Sequence, residues 1–322
     1  MSTVADDTRV ARVSSRTSSG LGFAVLSATS FGLSGPLARG LLDVGWSAGA
    51  AVTVRIGLAA VVLLPPALVA LRGRWGLLHR NAATILLYGA LAVTGAQFCY
   101  FQAVSSMAVA VALLVEYTAP VAVVCWLWLR HGQRPGRRTL AGTVVAGLGL
   151  VLVLDVLSGA SISTAGVLWA LGAMAGAATY FVISADESNG LPPLVLAAGG
   201  LVTGAVLLLG LGAVGLVPMR ATSTPVTYAG HSVPWWLPLL ALGLVTAVLS
   251  YTTGIAAGRR LGSRLASFVA LLEVLAALVF AWLLLGQLPH GLQVVGGVVV
   301  LVGVVLVKLG EPRTAAESPE LH

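Results

Sequence analysis

The longest apolar stretch of the chain, residues 82–129, contains a single charged residue, Glu116. At about 1.5 Å per residue, one helix of that length would cross a hydrocarbon layer of about 30 Å twice over. The segment must therefore fold back, and we place the turn near Ser105 and Ser106. The chain as a whole is 58% hydrophobic and 9% charged, whereas soluble domains carry about 25% charged residues. These values predict an all-α integral membrane protein.

Apolar runs of about 20 residues predict ten membrane-spanning helices. The predicted spans are Leu21–Arg39, Ala48–Leu71, Ala82–Ser105, Met107–Leu129, Leu140–Leu157, Thr164–Ser184, Pro193–Val217, Trp235–Ala257, Leu265–Leu285 and Leu292–Leu309. Residues 1–20 are polar and rich in Ser, Thr and Arg, which predicts a disordered cytoplasmic tail. Residues 311–322 are interpreted in the same way.

An internal repeat divides the chain into two units. A shift of 154 residues without gaps aligns Trp128–Val153 with Trp282–Val307, and twelve of the twenty-six pairs are identical, Gly142/Gly296 and Gly149/Gly303 among them. The same shift aligns Ser105 and Ser106 with Arg259 and Arg260, a predicted loop. The units are residues 21–157 and 158–310, with five predicted spans each. Because five is odd, the second unit must enter the membrane upside down, as in many secondary transporters. The predicted fold is two inverted five-helix repeats.

The distribution of Lys and Arg predicts the orientation. With the N-terminus inside, fifteen of these residues fall on the cytoplasmic side and two, Arg39 and Arg220, on the outer side. Such a bias favours cytoplasmic termini and an even number of spans. It also accounts for the net charge of +7, so this charge does not indicate binding to nucleic acid. We expect a multi-pass protein of the plasma membrane, the inner membrane in a bacterium.

Three ionisable residues lie well inside predicted spans: Arg55, Glu116 and Glu273. Each would cost roughly 2.5–3.5 kcal/mol if it faced lipid, so each must face the bundle interior or water. One interpretation is a central cavity whose carboxylates bind an amine or exchange protons. The other is a structural ion pair between Arg55 and Glu116.

Polar and aromatic residues are expected to complete the cavity. Gln97 and Tyr100 share a face of the third span, and the shift of 154 aligns Gln97 with Tyr251. Pro120, one turn after Glu116, can kink its helix, and Gly35 can give the first span flexibility. The other expected lining residues are Tyr117, Trp169 and Tyr180. The alternative for these aromatic residues is an interfacial belt.

Several kinds of site are not indicated. Gly32–Gly35 has the Gly-x-Ser-Gly pattern of an intramembrane serine protease, but all five histidines fall in predicted loops, helix ends or the tail. No cluster has metal-ligand spacing and no phosphate-binding loop is present. We therefore expect neither an enzyme nor a metal or other cofactor.

The chain resembles the EamA-type transporters of the drug/metabolite transporter superfamily over nearly all of residues 20–310. Ser30–Pro36 (SFGLSGP) and Arg55 resemble the first two helices of that family, and Val115–Pro120 (VEYTAP) resembles the fourth-helix motif of its threonine and homoserine exporters. Where those exporters have Glu-Pro in the ninth helix, this chain has Glu273-Val274, so a kink there is not expected. Their later Leu-Gly-Glu is Leu285-Gly286-Gln287 here.

The resemblance implies export of small metabolites, amino acids or related compounds, by alternating access, with protons as a candidate coupling ion. An alternative is a non-transporting scaffold or receptor-like partner whose basic loop, Arg130–Arg138, docks a cytosolic protein. That loop also suits a topology anchor at anionic headgroups. A channel is disfavoured because only three charges lie in the membrane.

Overall fold

A computed structural model describes residues 3–106, 109–153, 163–286, 288 and 291–310. The described chain is helical apart from one β-hairpin. Its first half contains α1 Thr3–Gly32, α2 Ser34–Asp43, α3 Ala48–Ala70, α4 Gly76–Arg80, α5 Ala82–Leu87, α6 Ala96–Ser106, α7 Val109–Glu116, α8 Ala119–His131 and α9 Arg137–Val153. The second half contains α10 Thr164–Ala185, α11 Pro193–Ala213, β1 Val226–Tyr228, β2 His231–Val233, α12 Trp236–Gly243, α13 Ser250–Val269, α14 Leu272–Leu285 and α15 Gly291–Gly310.

Eight helical segments of the described chain are long and apolar enough to cross a membrane. They are Thr17–Asp43, Ala48–Ala70, Ala82–Ala103, Ala112–Arg130, Thr164–Ala185, Pro193–Ala213, Trp236–Val269 and Gly291–Gly310. The two predicted spans without such a segment correspond to α9, which is 17 residues long and begins with two arginines, and to α14, which has 14 residues. The architecture is that of an all-α, multi-pass membrane protein.

The outer surface of the bundle is apolar. Leu129 is 84% exposed and Val61 is 70% exposed, and many other Leu and Val side chains point outward. A soluble protein would not expose so much apolar surface, whereas a helix bundle in lipid must.

Glycines bring helices into close contact where the interior is tightest. A Cβ on Gly142 would lie 2.8 Å from the carbonyl oxygen of Gly303, and one on Gly149 would lie 2.8 Å from that of Gly296. Small residues allow such backbone approach between transmembrane helices. The contacts join the beginning of α9 to the end of α15 and the end of α9 to the beginning of α15, so these helices are antiparallel.

Two spans contain a π-helical segment. Tyr88–Gly95 connects α5 to α6, and Leu244–Leu249 connects α12 to α13. α6 ends at Ser106 and α7 begins at Val109; residues 107 and 108 lie outside the described part of the chain, so the turn near Ser105 and Ser106 stays a prediction.

Two boundaries differ from the predictions. The loop expected at Arg259 and Arg260 is helical, and the chain instead turns at Gly262, whose φ of +77° is one that glycine adopts without steric cost. Residues 3–20, predicted as a disordered tail, form the beginning of α1. The boundary between the two repeat units and the C-terminal tail, 311–322, lie outside the described residues.

A short hairpin joins the ends of two helices. Strands β1 and β2 pair antiparallel, and the phenol of Tyr228 donates a 2.7 Å hydrogen bond to the carbonyl of Leu37 in α2. The backbone N–H of Ala229 donates a 2.6 Å bond to the carbonyl of Leu284 in α14. The hairpin therefore connects α2 to the end of α14.

Candidate functional site

A cavity of about 1090 Å³ lies in the centre of the bundle. Nine of the side chains predicted from the sequence, and the predicted Gly35, line it. These residues are Gly35, Arg55, Gln97, Tyr100, Glu116, Tyr117, Pro120, Tyr180, Tyr251 and Glu273. They come from eight helices of both halves of the chain and, for Tyr117, from the interruption between α7 and α8, so the fold gathers them from positions far apart in sequence.

Trp169 is not part of the cavity lining. Its side chain is 39% exposed, and its ring contacts Phe98 edge to face with the centroids 5.9 Å apart. It lies near the N-terminal end of α10, as a residue of an interfacial aromatic belt would. The structure therefore does not place Trp169 in this cavity, and its alternative role in an aromatic belt stays a prediction.

The two cavity carboxylates stand at interruptions in helices. Glu116 is the last residue of α7, and Glu273 lies in the first turn of α14. The N-terminal end of a helix favours negative charge and the C-terminal end disfavours it. Ionised carboxylate is thus better stabilised at Glu273 than at Glu116. The phenol of Tyr117 interacts with the carboxyl of Glu273.

The interruption after Glu116 lies at Tyr117 and Thr118. The hydroxyl of Thr118 donates a 2.6 Å hydrogen bond to the carbonyl of Val115. Pro120 occupies the first turn of α8, where its missing N–H costs nothing. This agrees with the predicted effect of Pro120 on the fourth span.

The ninth span is also interrupted, contrary to the expectation from its missing proline. Between α13 and α14, at Ala270 and Leu271, hydrogen bonds run from residue i+3 to residue i: Leu271 N to Phe268 O at 3.1 Å and Glu273 N to Ala270 O at 2.9 Å. Such tight turns often connect helices. In the ninth span, a local change of hydrogen-bond register therefore interrupts the helix, whereas in the fourth span Pro120 contributes to the interruption.

An aromatic cluster forms one wall of the cavity. Phe31 and Tyr251 meet edge to face at 5.4 Å between centroids, and Tyr180 and Tyr251 meet at 5.7 Å. The amide nitrogen of Gln97 donates a 2.8 Å hydrogen bond to the Tyr251 hydroxyl. Phe31 was not among the predicted site residues, although its position one helical turn before Gly35, in the SFGLSGP motif, could have indicated it.

Arg55 lies beside this cluster and is 4% exposed. Its Nη2 donates a hydrogen bond to the carbonyl of Thr246, in the second π-helical segment. Its guanidinium carbon is 5.8 Å from the centre of the Phe31 ring, a cation–π arrangement. In the described part of the chain, no salt bridge within 4.0 Å joins Arg55 to Glu116. The carboxylate that acts on Arg55 electrostatically is Glu273.

Close packing of α1 against its neighbours supports the site. A Cβ on Gly32 would lie 2.8 Å from the backbone oxygen of Glu273, so Gly32 brings α1 against the start of α14. Gly35 has open space around its Cα and lies just after the interruption at Leu33 that separates α1 from α2. Close packing therefore does not require a glycine at position 35, and its predicted role in making the first span flexible for gating stays a prediction.

The two ends of the cavity differ. At one end it reaches the exposed ion pair of Arg39 and Asp43, whose charged atoms are 2.9 Å apart. Near the other end α1 contacts α13: a Cβ on Gly20 would lie 2.8 Å from Leu261, and Arg260 lies 4.8 Å from the ring centre of Phe23. The cavity is therefore accessible from the Arg39 end in this conformation.

Among the described residues, no group of three or more His, Cys, Asp or Glu side chains could hold a metal ion. Apart from Arg39, Asp43 and Arg220 at its exposed end, the cavity offers two carboxylates, one guanidinium and several phenol and amide groups. This combination suits binding of a small polar or charged molecule.

Comparison with known proteins supports a transport role. A protein named threonine/homoserine exporter RhtA, from each of two strains of Salmonella typhimurium (SL1344 and LT2), is 26% identical over 242 residues, covering 74% of this chain and 73% of the relative. A chain of known crystal structure matches the fold with a TM-score of 0.70 at 20% identity, over 92% of this chain and 98% of its own length.

The EamA-like transporter family matches the chain twice, over residues 18–155 and 164–309. The two matches cover most of the chain, one for each half. They indicate a membrane transporter rather than an enzyme. The chain belongs to the EamA-like transporter family.

Proposed function

We propose that this protein is a secondary transporter that exports amine-bearing metabolites, amino acids or related compounds, by alternating access through the central cavity. The observation that carries the proposal is the position of Glu116 and Glu273. Both carboxylates line one cavity, and both stand where a spanning helix is interrupted. Discontinuous helices at a central binding site are typical of secondary transporters.

The proposal includes ten spans in two inverted repeats. Under the shift of 154 residues, Gly142 corresponds to Gly296 and Gly149 to Gly303. The contacts are Gly142 with Gly303 and Gly149 with Gly296, which is the reciprocal pattern of a two-fold interface. The π-helical segments also correspond, since the shift moves Tyr88–Gly95 onto residues 242–249. These correspondences support a two-fold axis in the membrane plane.

The distribution of basic residues supports cytoplasmic termini in the plasma membrane. In that orientation Arg39 and Arg220 are outside, and the cavity opens to the exterior. The contact between α1 and α13 near Gly20 then closes the cytoplasmic side. In the opposite state these helices separate and the outer end closes, with the interruptions near Glu116 and Glu273 as hinges.

In the proposed mechanism, the two glutamates alternate between a substrate ammonium and protons. A proton bound from outside neutralises a carboxylate during the return step, and the substrate ammonium replaces it on the cytoplasmic side. Glu116, at the negative end of α7, is the more suitable proton carrier. The names of the exporter relatives support amino acids as the substrate class.

The experiment that tests this function compares metabolite pools. Cells expressing the wild type, the Glu116→Gln/Glu273→Gln variant or an empty vector are profiled for internal and external metabolites at matched expression. We expect one class of amine-bearing compound to accumulate outside only with the wild type. A wild-type profile equal to that of the empty vector would favour the scaffold.

A further inference from the structure

Three buried polar atoms of the cavity lining lack a hydrogen-bond partner in the described structure: the hydroxyl oxygen of Tyr180 and two atoms of opposite kind. Nε of Arg55 is a donor and Oε1 of Gln97 is an acceptor, and both are enclosed without a partner in the described structure. Buried polar groups are almost always satisfied. Because both side chains line the cavity, the partner that satisfies them can be a ligand.

Arg55 is held in place from one side. Its Nη2 is bound to the carbonyl of Thr246, and the Phe31 ring lies against the guanidinium. These contacts fix the plane of the group without supplying an anion. A cation at this depth normally pairs with an anion, and a guanidinium is well suited to a carboxylate because its fork of donors matches two oxygens.

The cavity carboxylates do not supply that anion directly. In the part of the chain that the structure describes, neither Glu116 nor Glu273 forms a salt bridge with Arg55 within 4.0 Å. Glu273 still acts on Arg55 electrostatically. The cavity thus separates one positive group from two acidic groups, and a small dipolar molecule fits between them.

We infer that Arg55 is a specificity-determining residue that binds the carboxylate of a zwitterionic α-amino acid, while Glu273 or Glu116 binds its ammonium group. Gln97 Oε1 accepts a further hydrogen bond from the ligand. This assignment rests on the proposed function, since it adds the group that binds the carboxylate to the site whose glutamates bind the ammonium. It explains why a costly cation is present in the membrane without a nearby counter-ion from the protein.

The charges of the site distinguish two classes of ligand. Arg55, Glu116 and Glu273 together carry one net negative charge when all three are ionised. A zwitterion leaves that sum unchanged and supplies both an anion for Arg55 and an ammonium group for a glutamate. A simple amine supplies only the ammonium group and leaves Arg55 without its anion.

The test measures exchange in liposomes containing the purified protein. Uptake of labelled L-threonine is driven by internal L-threonine or by internal L-threoninamide, which keeps the ammonium but lacks the carboxylate. In the wild type we expect threonine to be at least about tenfold more effective, since a hydrogen bond to a charged group is worth roughly 1.5–3 kcal/mol. Equal efficacy of the two compounds in the wild type would overturn the inference without any variant.

Variants then assign the preference to Arg55. For exchange of labelled threoninamide, competition by threonine should weaken about tenfold or more in Arg55→Gln, while competition by unlabelled threoninamide changes less than about threefold. Arg55→Lys should restore part of the preference, because it keeps the charge but loses the fork. Arg72→Gln, an exposed arginine outside the cavity lining, is the matched control and should retain the wild-type ratio.

The remaining outcomes are also decisive. An equal loss for both compounds in folded Arg55→Gln, checked by gel filtration, would mean that Arg55 is structural and would overturn the inference. Exchange of threoninamide but not threonine by the wild type would overturn it while leaving an amine transporter. If the wild type exchanges neither compound, both this inference and amino-acid transport are contradicted.

Discussion

Gln97 and Tyr251 are joined by a 2.8 Å hydrogen bond, and they are 154 residues apart, the length of the internal repeat. Residues at equivalent positions of two repeats can meet only near the axis that relates them. The bond therefore lies at the centre of the proposed symmetry, beside Arg55 and the aromatic wall. Since one partner is an amide and the other a phenol, the two halves differ chemically where the substrate is proposed to bind.

Removal of this bond should weaken both the fold and the site. In Tyr251→Phe the amide nitrogen of Gln97 loses its buried acceptor, so we expect a loss of about 1–3 kcal/mol in stability and a raised KM for exchange. Thermal unfolding in detergent and liposome exchange measure the two effects. Trp169→Phe, outside the cavity, is the control. Equal melting and equal KM for Tyr251→Phe and wild type would contradict this role.

Glycine substitutions test the contact between α9 and α15. In Gly149→Ala the new Cβ would lie 2.5 Å from the backbone nitrogen of Val300, and a backbone cannot move aside cheaply. We expect a loss of about 1–3 kcal/mol in stability, as for other overpacked interiors. Gly147→Ala, two residues away with open space around it, should be neutral or slightly stabilising. If both variants unfold at the same temperature, the close packing is not as described.

The orientation can be read from thiol labelling. In a background with Cys99 and Cys125 replaced by serine, Arg220→Cys should react with a membrane-impermeant maleimide in intact cells. Arg72→Cys should react only after permeabilisation, because the basic side is predicted to be cytoplasmic. Labelling of Arg72→Cys in intact cells with Arg220→Cys protected would reverse the assigned orientation.

Pro120 tests whether the interruption in the fourth span is a hinge. An alanine at this position lets the helix continue more easily through Thr118, so Pro120→Ala should slow turnover severalfold with little change in substrate affinity. The ninth span should still bend at its own interruption in this variant, because that interruption contains no proline. We would measure kcat and KM for exchange. Normal turnover in Pro120→Ala would exclude a hinge at this proline.

Apolar run length and charge indicate much of this architecture. A charge that must avoid lipid can only face the interior, and for this reason Arg55, Glu116 and Glu273 could be placed in the cavity from sequence. Hydropathy does not encode hydrogen-bond register, so the π-helical segments and the interruption at Ala270 were not predicted.

Other features depend on side-chain direction. Trp169 is amphipathic, so its residue type suits a cavity and a membrane interface equally well, and only the fold distinguishes the two. Phe31 contributes to the aromatic wall but has no polar atom, so only its place in the SFGLSGP motif distinguishes it from many other apolar residues. The turn at Gly262 rather than at Arg259 and Arg260 reflects backbone conformation, since glycine tolerates a positive φ and arginine does so only with strain.

The most direct test of the account is exchange by the Glu116→Gln/Glu273→Gln variant in liposomes across a range of external pH. With both carboxylates neutral at every pH, we expect exchange to fall at least tenfold and the residual rate to be independent of pH. Glutamine preserves shape, and gel filtration confirms folding. A double variant that keeps the wild-type rate and pH dependence would contradict the claim that these carboxylates bind substrate and protons.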